Sequence, residues 1–185
     1  MALLSFKTSK DSIDVRPIVK RAQEYADQII SDTVKSSLIK AASKSQSTAT
    51  ASSDIKYSER DIPVDELVKV EKSFVEKLIE LIRQSGKTDP EIYKAAGIDR
   101  RLFSKIMSDS VYKPSKDTCI ALALALKLNQ YQTNDLLERA GYILSHSIRR
   151  DLIIEYMIIN RIFDIDTVNA VLDQSKEKIL GNTFN

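Results

Sequence analysis

From Leu67 onward the large apolar side chains fall at Leu67, Val70, Phe74, Leu78, Leu81 and Ile82, three or four residues apart, and Gly86 follows. That interval is the helical repeat, and a glycine that can take positive φ is the usual stop. The same grammar then repeats. Thr88-Asp89-Pro90-Glu91 opens a short helix over Ile92–Ala96, which Gly97 ends, and Asp99 caps another through about Met107. Pro114-Ser115 opens a fourth helix through Leu128, and a fifth runs to Ala140 with Gly141 beyond it. Five short helices in series leave little room for a sheet. With 4 glycines, 4 prolines and no tryptophan in 185 residues, helix breakers and strand formers are both scarce. The fold class expected is all-α.

The flanks carry helices of their own. About Asp14 to Lys44 reads as one long helix, with Ile18, Ala22, Tyr25 and Ile29 on one face and Val19, Ala26, Ile30, Val34 and Leu38 adjoining. Asp14 suits its cap, and Pro17 fits a first turn, where a missing N–H costs nothing. Ser45, Ser47, Thr48, Thr50, Ser52 and Ser53 then crowd a stretch with linker composition. Beyond Gly141, Ser147–Ile159 is apolar nearly all round, and Asp166 is placed to cap a last helix through Leu172 and onward. The expected organisation is an N-terminal amphipathic helix (1–44), a Ser/Thr-rich linker (45–63), a helical domain (64–141) and a C-terminal helical extension (142–185).

Within the middle region Ile92 and Ala96 precede the turn at Gly97, and Phe103 and Ile106 follow it. These four side chains can meet as one small core, which sets the second helix steeply across the first and leaves its outer face free for a major groove. Residues 73–137 resemble the lambda-repressor, or XRE-type, helix-turn-helix family. The resemblance is carried by Leu78, Ile82, Ile92, Gly97, Ile98, Phe103 and Ile106, the Lys113-Pro114-Ser115 loop, Ala121, Leu124, Ala125 and Leu128, and Leu136-Leu137. It implies a five-helix lambda-repressor-like domain, here with a long N-terminal helix and two extra C-terminal helices. Residues 74–181 are also similar to a helical C-terminal module of bacterial macro-domain proteins. There the carrying runs are Ile98–Ile106, Tyr112–Lys116, Ala140-Gly141-Tyr142, Leu144–Ser147 and Asp151–Tyr156.

Carried over from the helix-turn-helix family, Arg100, Arg101 and Lys105 are the expected readers of base edges. Lys87, Lys94, Lys113 and Lys116 are the expected phosphate contacts. Arginine suits guanine because its fork meets O6 and N7 together. Two arginines in a first helical turn also oppose the helix dipole, at roughly a few tenths of a kcal/mol each, so stability did not select them. Tyr93 stands where the family usually has a small residue, and Asp89 and Glu91 lie near the expected backbone contact. The partner implied is double-stranded DNA, bound by a transcriptional regulator. Dimerisation is expected through the N-terminal helix or the apolar surface around Ile153, Tyr156 and Ile159. The alternative is a helical adaptor that docks a protein partner in a bacterial stress or phage-defence system.

Other classes find little support. The formal charge of +2 and pI near 8.5 give no bulk attraction to nucleic acid, so local placement must carry any contact. The single Cys119 excludes an internal disulfide and reads as a small buried residue. No apolar run reaches about 18 residues, and Met1–Phe6 is short for a signal peptide, so the cytoplasm is expected. His146, the one histidine, has no ligand cluster in sequence around it, and Asp164 and Asp166 lack the glycine and closing glutamate of a calcium loop. With no phosphate loop, H-E-x-x-H or nucleophile elbow, neither an enzyme nor a cofactor or metal is expected.

Overall fold

A computed structural model describes residues 13–44 and 72–181, and every regular element among them is a helix. In order these are α1 (Arg16–Lys44), α2 (Phe74–Ser85), α3 (Asp89–Ala95), α4 (Arg100–Ser108), α5 (Lys116–Ala125), α6 (Gln130–Arg139), α7 (Arg149–Ile159) and α8 (Ile165–Gln174). The linker expected over 45–63 lies outside the described residues, as do Leu67 and Val70. No described helix is long and apolar enough to cross a membrane.

Local signals account for most helix ends. The Asp14 carboxylate accepts the Arg16 N–H at 3.1 Å. Ser73 and Glu76 form a reciprocal capping box, with Ser73 N donating to Glu76 Oε2 at 2.8 Å and Glu76 N to Ser73 Oγ at 3.3 Å. Within the apolar period that begins at Leu67, the described helix α2 therefore starts at Phe74, with Ser73 as its cap. Gly86 and Gly141 close α2 and α6 with φ of +66° and +80°, values that cost a residue with a Cβ. Three boundaries differ from expectation. α5 stops at Ala125, three residues early, because Lys127 takes a left-handed φ of +55°. α7 starts at Arg149, two residues after Ser147. Asp164, and not Asp166, caps α8, accepting from Thr167 N at 2.8 Å and Thr167 Oγ1 at 2.7 Å.

α7 is the hub of the C-terminal half and packs against α1, α6 and α8. Leu152, Ile153, Ile154, Met157 and Ile158 are all buried, which explains a helix apolar on almost every side. One side is closed by the first half of α1, whose Ala22 and Ala26 are wholly buried and allow close approach. Tyr25 packs on Tyr156 at 5.6 Å between ring centroids. The C-terminal dimer surface expected around Ile153 and Tyr156 is thus occupied from within the chain. Ile153 is fully buried, and Tyr156 is covered in part by Tyr25; Ile159 keeps an exposed flank.

Polar groups fasten this joint. Glu155 on α7, 3% exposed, accepts from Tyr25 Oη at 3.3 Å and Gln130 Nε2 at 2.5 Å, with His146 Nε2 at 3.1 Å. Burial, and then the Glu155 charge, raise the Tyr25 phenol above its ordinary pKa. Arg150 bridges Asp117 at 2.8 Å and the Lys178 carbonyl at 2.6 Å. Residues 142–181 are therefore integrated with α5 and α6. The second half of α1 is different, since residues 31–40 are exposed throughout, including Val34, Leu38 and Ile39.

Candidate nucleic-acid interface

α3 and α4 are joined by four residues, Ala96 to Asp99. Gly97 N donates to Lys94 O at 3.1 Å and Ile98 N to Tyr93 O at 2.9 Å, the paired bonds that end a helix around a left-handed residue. Gly97 supplies that residue at φ +60°, and a Cβ there would lie 3.7 Å from Ile165 Cδ1, so backbone conformation rather than space calls for glycine. Asp99 then caps α4 by accepting the Arg101 N–H. Ile92, Ala96, Ile98, Phe103 and Ile106 are all buried. The small core expected between the two helices is present.

With that face inward, the rest of α4 points outward. Arg100, Arg101, Ser104 and Lys105 are exposed. Helical spacing divides them into two stripes: Arg101 and Lys105 on one, and Arg100 and Ser104, with Met107 a further turn on, on its neighbour. No ion pair engages Arg100, Arg101 or Lys105 among the described residues. The Lys105 ammonium lies 5.1 Å from the centroid of the Tyr112 ring, a cation–π contact that leaves its charge uncancelled. Tyr112 is held by a turn in which its N–H donates to Asp109 O at 3.0 Å.

The four lysines expected on phosphates fare differently. Lys94 on α3 and Lys113 in the loop before α5 are exposed. Lys87 is not: its Nζ donates to the Ala125 carbonyl at 2.5 Å, satisfying the C-terminal end of α5. Lys116 is also committed, pairing at 2.5 Å with Asp151, whose carboxylate is 2% exposed and also accepts from Ser145 N at 2.8 Å. Of the expected phosphate set, these two are therefore engaged within the chain, while Lys94 and Lys113 are exposed. A long cationic side chain goes to the nearest desolvated acceptor, and here tertiary folding brings one to each.

Tyr93, which stands where the resemblance calls for a small residue, neither splays the helix pair nor leaves it. Its ring packs on Phe103 at 5.9 Å between centroids, tilted by 52°. Beside these rings lies a cleft of about 520 Å³ between α3 and α4, lined by Asp89, Pro90, Tyr93, Arg100, Phe103, Ser104 and Met107. The signal for this cleft, Tyr93 with Arg100, Ser104 and Met107 at helical spacing, is present in the sequence but is easily read as surface and core. Glu91 is turned back on the start of α3, where bonds from Thr88 N at 2.8 Å and Thr88 Oγ1 at 2.7 Å hold its carboxyl below the usual carboxylate range.

No protein-family model, curated protein or solved structure matches this chain. The geometry must speak for itself. What it offers is an exposed helix flank with three cations, a cleft of mixed polar and apolar lining beside it, and flanking lysines at 94 and 113. Among the described residues no group of three or more His, Cys, Asp or Glu side chains is arranged to hold a metal ion. Cys119 is buried, which pushes its thiol up to about 12 and leaves it a poor nucleophile.

Proposed function

We propose that this chain is a sequence-specific binder of double-stranded DNA that acts as a transcriptional regulator. In this reading α2 to α6 form a lambda-repressor-like domain, and α4 is the recognition helix in the major groove. The observation that carries the reading is the state of Arg100 and Arg101. Both occupy the exposed first turn of α4, both work against its dipole, and neither has a carboxylate partner among the described residues. Groups so placed suit a ligand that arrives with acceptors, and guanine O6 and N7 are the fitting pair. Lys105 extends the positive flank, and Lys94 and Lys113 serve as phosphate contacts on either side. Lys87 and Lys116 take no part.

The test is selection from a random duplex library with the purified 185-residue chain, followed by salt titration of the selected duplex. Each phosphate neutralised adds about −0.9 to the slope of log affinity against log salt. Arg100→Ala/Arg101→Ala should abolish selective binding and leave thermal stability unchanged. Absence of any salt-sensitive duplex binding would refute the reading.

A second reading, a protein-interaction module, draws on α1. Its first half is a structural part of the domain, whereas residues 31–40 stand exposed with Val34, Leu38 and Ile39 uncovered. An isolated stretch of about ten residues is marginal as a helix in water, and a partner along that face would support it. Under this reading, changing Val34, Leu38 and Ile39 to serine removes function while the arginine variant does not.

A further inference from the structure

We infer that the groove between the start of α1, the ends of α3 and α5 and the α7–α8 loop is a binding site for a free straight-chain carboxylic acid, with its chain along the groove and its carboxylate at Lys127 and Arg161. The site uses none of the side chains assigned to DNA above and stands whether or not that reading holds. The groove has a volume of about 810 Å³, in the range of small-molecule sites. Leu124 and Ala125, both buried, and Ile18, Ile162, Phe163 and Ile165, all half-buried, give it a largely apolar lining.

Most polar side chains of that lining are already engaged. Lys87 Nζ donates to the Ala125 carbonyl at 2.5 Å, and the Asp164 carboxylate accepts from Thr167 N at 2.8 Å and Thr167 Oγ1 at 2.7 Å. Lys127 and Arg161 remain. Both are exposed, and neither makes an ion pair among the described residues. Together with Phe163 they also line a second cavity, of about 510 Å³, so the two cations stand at the border where the hollows meet. An occupant thus finds apolar surface along its body and two uncancelled positive charges at one end. A sugar or a base would leave its own donors and acceptors unpaired on that surface. A neutral hydrocarbon would leave the charges unused, and a bare phosphate would leave the groove empty. A flexible methylene chain follows a lining drawn from several elements, and a carboxylate presents two oxygens to the Arg161 fork with Lys127 beside it.

The test is calorimetric titration of the full chain with sodium dodecanoate below its micellar concentration. Dodecanoate should bind at a single site, and octanoate about fifteenfold more weakly, the factor for four methylenes half covered in an open groove. Dodecyltrimethylammonium has the same chain and the opposite charge, and should bind at least about tenfold more weakly. Lys127→Met/Arg161→Met should lower dodecanoate affinity about tenfold. Lys176→Met should leave it unchanged, because Lys176 shares their left-handed φ, at +59°, but lines neither cavity. Ala95→Trp fills the groove from an exposed position and should abolish binding. No binding by the unaltered chain overturns the inference, including the case in which residues 1–12 or a protein partner take the groove. Equal affinity for the cationic chain overturns it, as does dodecanoate binding that persists in Ala95→Trp or falls equally in Lys176→Met.

Discussion

Lys116 separates a structural account of the basic residues from a phosphate-binding one. Its ammonium and the Asp151 carboxylate are 2.5 Å apart, with the acid 2% exposed and the lysine 24% exposed. Lys116→Met deletes the charge and keeps most of the apolar stem. Asp151 is then left buried with the Ser145 N–H, at 2.8 Å, as its remaining donor. Breaking a fully buried pair from one side costs about 3–5 kcal/mol. Because water reaches the lysine end here, about 2–4 kcal/mol is expected, or a fall in Tm of roughly 5–15 °C for a chain of this size. Lys116→Met/Asp151→Asn removes the stranded charge while retaining an acceptor for Ser145 N, and should return to within about 1 kcal/mol of the parent. Urea unfolding of the parent, both single variants and the double closes the cycle, and salt titration of the selected duplex runs alongside. The structural assignment demands a large coupling energy and an unchanged salt slope. A Lys116→Met protein as stable as the parent, with a slope shallower by about 0.9, would show the lysine on a phosphate and refute the reasoning.

Three further outcomes follow from the same contacts. Lys87→Met removes the donor that Ala125 O receives at 2.5 Å and should cost about 1–2 kcal/mol in urea unfolding, again with no change in salt slope. Ala22→Asp places a carboxylate in a wholly buried site facing the C-terminal helices. It should undock α1, seen as faster amide exchange in α7 and binding of a hydrophobic dye, whereas an unchanged exchange pattern would deny α1 its structural role. Cys119 gives a pH dependence of known sign. An unfolded thiol ionises from about pH 8.5, while the folded one holds its proton to about 12. Across that window the unfolded state binds fewer protons, so the cysteine's contribution to stability declines as pH rises, by at most roughly 1.4 kcal/mol per unit. Cys119→Ala should flatten that part of the stability–pH curve relative to the parent.

Which parts of this molecule were readable before folding follows from the range of the forces involved. Asp99 as a cap, Gly97 as a left-handed turn, the apolar period of α2, and the inward set Ile92, Ala96, Phe103 and Ile106 all depend on neighbours within a few residues. The sequence states those neighbours directly. The exposed positions of Arg100, Arg101 and Lys105 were legible for the same reason, since a helix with a known inner face has a known outer one.

Tertiary structure decided the matters that turn on partners far along the chain. Lys87 meets a carbonyl 38 residues away and Lys116 a carboxylate 35 residues away, and nothing near either lysine distinguishes it from Lys94 or Lys113, which stay in water. The apolar circumference of α7 announced burial without naming its cover, and the cover proved to be α1 of the same chain. The stripe on α1 ran past the end of the surface it packs on, so Val34 and Leu38 continue a period whose support stops near Ile30. Tyr93 combined both kinds of information. Its size could be read directly, but that it would rest on Phe103 and line a cleft beside Arg100 depended on how two helices pack, and packing is a property of surfaces that only folding brings together.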